Sequence, residues 1–135
     1  MKTSEEGSVL LLTLGYALLA ISLIFVCVCA TDLYIAQKRL DALADAAALA
    51  GADGFDVMVV DDSPRAELTD DGVRQQVDAL LTATGGEATL VSASTPDGVS
   101  SRVTLTTAWH PPLVAFAVPD GVRLEATGTS RTALR

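Results

Sequence analysis

His110, the only histidine, lies between Trp109 and Pro111. A single imidazole does not make a site. A metal centre needs several convergent ligands, and a nucleophile needs a partnered base. A lone His at a strand end reads as structural. Cys27 and Cys29 sit two residues apart in an uncharged stretch, with no third cysteine to pair with. They read as small apolar packing residues, with acylation or an intermolecular disulfide as the lesser alternative. The richest carboxylate group is Asp53, Asp56, Asp61 and Asp62. Loop carboxylates suit calcium, but the spacing departs from the EF-hand pattern and a solvated loop is the plainer reading. Asp70, Asp71 and Asp78 suit the N-terminus and wet face of a helix. No Gly-rich phosphate loop and no CxxC pattern is present. The chain reads as neither an enzyme nor a cofactor carrier.

The elements around these residues are more informative. Of 135 residues, half are hydrophobic but only 4% aromatic. Much of the apolar fraction lies in one run from Ser8 to Thr31, 24 residues without a charge. As a helix this run reaches roughly 36 Å, enough to cross a hydrocarbon core of about 30 Å with some tilt. Lys2, Glu5 and Glu6 flank one end; Asp32, Lys38 and Arg39 flank the other, with Tyr34 at the second boundary. Aromatic rings suit that boundary. A cleaved secretory signal is the rival reading, because Val28 and Ala30 are small residues at suitable spacing. The run is too long for it, and the residues before the run are acidic rather than basic. Setting aside Lys2, Glu5 and Glu6 leaves fifteen acidic and eight basic residues, a net −7. Such a domain repels phosphate backbones, so no nucleic-acid partner is expected.

The helix is expected to continue. Asp32 to Ala52 has no Pro and is rich in strong helix formers. Leu33, Leu40 and Ala47 recur every seven residues, with Ala36, Leu43 and Ala50 between them, an a/d-like seam. The seam serves a partner helix or the protein's own sheet. Gly51, Asp53 and Gly54 read as the stop. Phe55 to Val60 reads as a short strand, broken by Asp61, Asp62, Ser63 and Pro64. Thr69, Asp70 and Asp71 open a second helix that Gly85 and Gly86 end. Beyond Glu87 the period becomes two, with Ala88, Leu90 and Ser92 on one face. Pro96-Asp97-Gly98 is a turn signal, and Val103, Leu105, Thr107 and Trp109 alternate in the next strand. Leu113 to Val118 reads as a loop lid or short helix. Pro119-Asp120-Gly121 repeats the turn signal before a last strand through Leu124, Ala126 and Gly128. The fold class is α+β: a long N-terminal transmembrane helix extending into a small antiparallel-sheet domain with one additional helix. The expected segments are 1–7, a short cytoplasmic leader; 8–31, the span; 32–54, its extramembrane continuation; and 55–135, the small domain.

The N-terminal third also carries a resemblance. A leader ending Glu6-Gly7-Ser8 precedes the span. The span ends in Ala30-Thr31-Asp32-Leu33-Tyr34 and runs into Gln37-Lys38-Arg39 and the segment Ala44-Asp45-Ala46-Ala47-Ala48-Leu49-Ala50-Gly51-Ala52. Over Gly7 to Ala52 this resembles the TadE/TadG-like proteins of tight-adherence (Flp) pilus assembly, in their actinobacterial form. The resemblance implies a pilin-like or pseudopilin-like protein of the cell membrane, single-pass, with the C-terminal domain outside the cytoplasm. Lipid and other pilin-like or pilus-assembly membrane proteins are the implied partners, together with self-association. Some members are processed after a Gly, which here places the site at Gly7 and Ser8. Processed relatives usually carry Glu five residues into the mature chain, where this sequence has Leu12. The residues themselves suggest action by packing: Gly15, Ala17, Ala20 and Ser22 offer small surfaces in the span. Leu40, Leu43, Ala47 and Ala50 continue that surface outside it. Two other readings remain beside it: a membrane-tethered ligand-binding module, with Leu113–Val118 and Trp109 as its place, and an accessory secretion factor that never enters a filament.

Overall fold

The structure, a computed structural model, describes residues 2–131, with side chains from Glu5 onward. Its first element is one unbroken helix, α1 (Lys2–Ala52). No Pro interrupts it. A side chain at Gly7 or Gly15 would meet nothing, so neither glycine serves a close approach within the chain. Backbone bonds from Asp53 to Ala50 and from Gly54 to Gly51 then close its end.

The two halves of α1 have opposite surroundings. Every side chain from Glu5 to Ile24 is exposed. This half is long and apolar enough to cross a membrane, and none of its most apolar window is buried in the domain. A helix at the core of a soluble domain would bury that window. From Leu40 the helix enters the core: Leu40, Ala44, Ala47, Ala48 and Ala52 are all buried. The part of the helix from Leu40 to Ala52 is thus the inner wall of the domain.

The rest of the chain folds around that wall. β1 (Phe55–Val60) and β2 (Ser63–Leu68) form an antiparallel hairpin. The expected break after Val60 is therefore a turn: Asp61 and Asp62 both take positive φ, 51° and 62°. Short polar side chains tolerate that region, and paired positive φ values match the right-handed twist of a hairpin. α2 (Asp70–Thr84) follows, with the Thr69 side chain accepting a bond from the Gly72 amide at 3.1 Å. Left-handed Gly85, φ 63°, closes it. β3 (Thr89–Ser94), β4 (Ser100–Trp109) and β5 (Val122–Arg131) make a three-stranded antiparallel meander in that order. β4 and β5 pair without a break from Ser100↔Arg131 to Trp109↔Val122. β3 carries a bulge between Leu90 and Ser92. The bulge shifts the alternation, so Ala93 is buried and Ser92 faces solvent, the reverse of strict period two.

Val73 and Val77 of α2 and Val103 and Leu105 of β4 complete the core with no exposed surface. Each such side chain contributes about 1.5–3 kcal/mol by burial. Small residues set how closely the layers meet. A side chain at Gly128 would run into the backbone of Ala44, and one at Gly51 into Ser101 and Val73. Ser101 is fully buried in this contact, and its hydroxyl has no hydrogen-bond partner.

Candidate functional site

The residues expected to pack divide into two groups. Leu40 and Ala47 are buried against the protein's own sheet and α2, while Leu43 and Ala50 are half-buried. The seam beyond the uncharged run is thus occupied largely from within the chain. Its centre also differs from the heptad expectation: Ala44 and Ala48 are fully buried where Ala50 is not. A straight helix drifts by about 20° per heptad, which turns position 50 away and brings 44 and 48 in.

Gly15, Ala17, Ala20 and Ser22 are all exposed. At about 100° per residue, Gly15 and Ser22 share one face and Ala17 and Ala20 share nearly the opposite one. The four are two small-residue faces rather than one stripe. By the same count the Gly15–Ser22 face aligns with Cys29 and Leu40, on the side where the domain sits, and Ala17 and Ala20 point away from it. Two hydroxyls in this segment bond back to the helix. Ser22 Oγ donates to the Leu18 carbonyl and Thr13 Oγ1 to the Val9 carbonyl, each at 2.8 Å. Such back-bonding lets these two hydroxyls sit on an apolar surface with their donors satisfied. Gly7 lies inside α1, in helical backbone, and Ser8 follows it as an exposed residue.

The contact between α1 and the near end of the sheet was not legible in the sequence. Trp109 Nε1 donates to Asp32 Oδ2 at 2.8 Å. Gln37 Nε2 donates to the Glu125 carbonyl at 3.1 Å and to Asp41 Oδ1 at 2.9 Å. Cys29 Sγ lies 4.0 Å from the Pro112 carbonyl. The lone aromatic-acid pair had no local signal, because 77 residues separate its members. Lys38 bridges Asp41 at 3.5 Å and stands 5.7 Å from the centre of the Tyr34 ring, both at the helix surface.

The candidates for chemistry do not converge. His110 is exposed, with Nε2 3.3 Å from the Pro119 carbonyl. Asp53 and Asp56 are exposed beside the end of α1, and Asp61 and Asp62 form the hairpin turn. Among the described residues no group of three or more His, Cys, Asp or Glu side chains is placed to hold a metal ion. Cys27 is exposed and Cys29 half-buried, both as free thiols. Asp97 has a local role. Its carboxylate accepts from the Ser100 amide at 2.6 Å, the Val99 amide at 3.0 Å and Ser100 Oγ at 2.9 Å. The Ser100 amide bond, then the Val99 amide bond, hold this carboxyl below its ordinary value.

One groove opens beside Trp109, about 700 Å³ in volume, between α1 and the β3 side of the sheet. Leu43, Ala46, Ala88 and Trp109 line it, with Arg39 and Glu87 also on its wall. The segment expected as a lid lies elsewhere. Leu113–Val118 contains a three-residue 3-10 turn, Ala115–Ala117, on the loop between β4 and β5. Compared with family models, curated proteins and solved structures, the chain finds no match.

Proposed function

We propose that the chain is a single-span membrane protein that presents a small extracytoplasmic α+β domain on a rigid helix. We further propose that it serves as a minor, pseudopilin-like component of tight-adherence pilus assembly or a related secretion system. The observation that carries the reading is the division of α1. Its first half is uncharged from Ser8 to Thr31 and bare of any intramolecular cover up to Ile24, while its second half forms the core of the domain. An exposed apolar surface of that length needs lipid or other helices around it. The resemblance of Gly7 to Ala52 to TadE/TadG-like proteins supplies the class of assembly.

The mechanism is packing. The outer seam is spent on the domain, so the surface left for partners is the membrane half, above all Ala17 and Ala20. Small residues there let a second helix approach closely. Other pilin-like helices, or a second copy, are the partners this surface suits.

A second reading rests on the groove beside Trp109. Its apolar floor, with Arg39 and Glu87 both on its wall, suits a small and largely apolar ligand, as in a membrane-tethered binding module.

The deciding experiment is the N-terminal mass of the chain recovered from native membranes and from sheared surface filaments. A chain beginning at Ser8 and present in filaments supports the pseudopilin role. A chain that keeps Met1 and stays in membranes with secretion proteins favours a permanent accessory factor. A chain beginning at Thr31 overturns the anchor.

A further inference from the structure

Resting on the reading that α1 crosses a bilayer, we propose that the loop between β4 and β5 is a second membrane contact. In it, Leu113 and Phe116 are seated in the interfacial layer of the same bilayer.

The argument starts from how β4 tracks α1. Near its start β4 sets Ser101 beside Gly51, and it ends with Trp109 bonded to Asp32. At about 1.5 Å per helix residue the two helix points lie roughly 28 Å apart. At about 3.3 Å per strand residue the two strand points lie roughly 26 Å apart. The strand thus runs back along the helix, from the far end of the domain to the residue where charge first appears after the apolar run. Contacts between Gly128 and Ala44, and between Glu125 and Gln37, fix intermediate rungs of the same ladder.

The chain then overshoots. Pro112 meets Cys29, which lies within the uncharged segment. Phe25 and Cys29, one helical turn apart on this side, are the two half-buried residues between Ser8 and Thr31. From Pro111 to Pro119 the loop carries no charge; charge returns at Asp120. Leu113 is 77% exposed and Phe116 85% exposed, above every other large apolar side chain among the described residues, those of the bare helix included. An uncharged loop at the depth of a span, with its apolar side chains turned outward, matches a lipid surface. Trp109 and Tyr34 lie just above it, at the level where amphipathic rings favour the headgroup layer. Held at two points, α1 and the domain built on it would be restricted in tilt against the bilayer and would present one fixed face to it.

The test uses the full chain in phosphatidylcholine vesicles whose acyl chains carry bromine, a contact quencher, at a shallow or a deep position. Trp109 is the single tryptophan, so a Trp109→Phe background is dark. Into it are placed Leu19→Trp, Phe116→Trp or Val59→Trp, all at exposed positions. The proposal expects deep bromine to remove most emission from the Leu19→Trp protein. It expects shallow bromine to remove most emission from the Phe116→Trp protein, and neither to affect the Val59→Trp protein. Quenching at position 19 without quenching at 116 overturns the proposal and leaves the span standing, with the loop free for a protein partner. No quenching at position 19 overturns the span and the proposal with it. Quenching at position 59 also overturns it, because the domain would then lie flat on the bilayer.

Discussion

Trp109 and Asp32 are joined by a 2.8 Å hydrogen bond that ties the end of β4 to α1 at the first charged residue after the apolar run. The donor is an indole N–H, which has no second role, and the acceptor is a carboxylate oxygen. An Asp32→Asn side chain still offers an oxygen, so the fluorescence of Trp109 should change little. Asp32→Ala leaves the indole without this partner. Its emission maximum and anisotropy should then shift toward those of a freer ring. Equal spectra for both variants would show that the bond does not hold Trp109.

The helix and the sheet meet where neither has a side chain to spare. Gly128→Ala places a Cβ against the backbone of Ala44, which cannot rotate away. Overpacking of this kind costs about 1–3 kcal/mol. Urea unfolding of the domain should show that loss for Gly128→Ala and none for Gly86→Ala, where the nearest atom is 3.9 Å away.

Ser101→Ala should act in the opposite direction. The Ser101 hydroxyl is buried without a partner, and a buried polar group left unsatisfied costs roughly 1–3 kcal/mol. Removing it should leave the domain as stable or more stable. A clear loss of stability would mean that the hydroxyl is bonded in solution.

Acid should act on the β3–β4 turn. Amide bonds from Ser100 and Val99 hold the Asp97 carboxyl below its ordinary value of 3.8. A carboxyl depressed in the folded state adds stability above its unfolded value, and that part is lost as the pH falls through the folded value. The turn should therefore loosen only below about pH 4. Asp97→Asn should remove that part of the acid dependence, read as amide exchange at Val99 and Ser100.

A charge at Ala20 tests the packing surface. An Asp at the centre of a span costs about 2.5–3.5 kcal/mol. Ala20→Asp should reduce recovery in membranes and in assemblies, whereas Arg74→Glu, on the solvent face of α2, should not. Normal assembly of the Ala20→Asp protein would overturn the packing mechanism.

The parts of the fold legible in the sequence are those with strong local chemistry. The absence of Pro and the Ala-Leu composition foretell α1. Thr69 and Gly85 bound α2 as expected, and the Pro96-Asp97-Gly98 turn lies between β3 and β4. β2 was hidden because Ser63-Pro64-Arg65-Ala66-Glu67 has no apolar alternation; its partner β1 and the Asp61-Asp62 turn create it. The bulge at Val91 was hidden because a flipped phase has no composition of its own. The heptad reading of α1 caught Leu40 and Ala47 but not Ala44 and Ala48, because residues on a straight helix follow 3.6 rather than 3.5 per turn. The ties at Trp109, Gln37 and Cys29 depend on tertiary register and have no local mark.

The continuity of α1 has an angular consequence. With helix unbroken from the apolar half to the core half, the direction in which Ala17 and Ala20 point is set, residue by residue, by where the sheet lies. Adding one residue between Ile24 and Cys29 would turn the domain by about 100° around the axis and raise it by about 1.5 Å. Adding seven would nearly restore the heading at a greater height. The helix therefore acts as a phase ruler: any neighbour that fixed the Ala17–Ala20 face would also decide which way the domain faces.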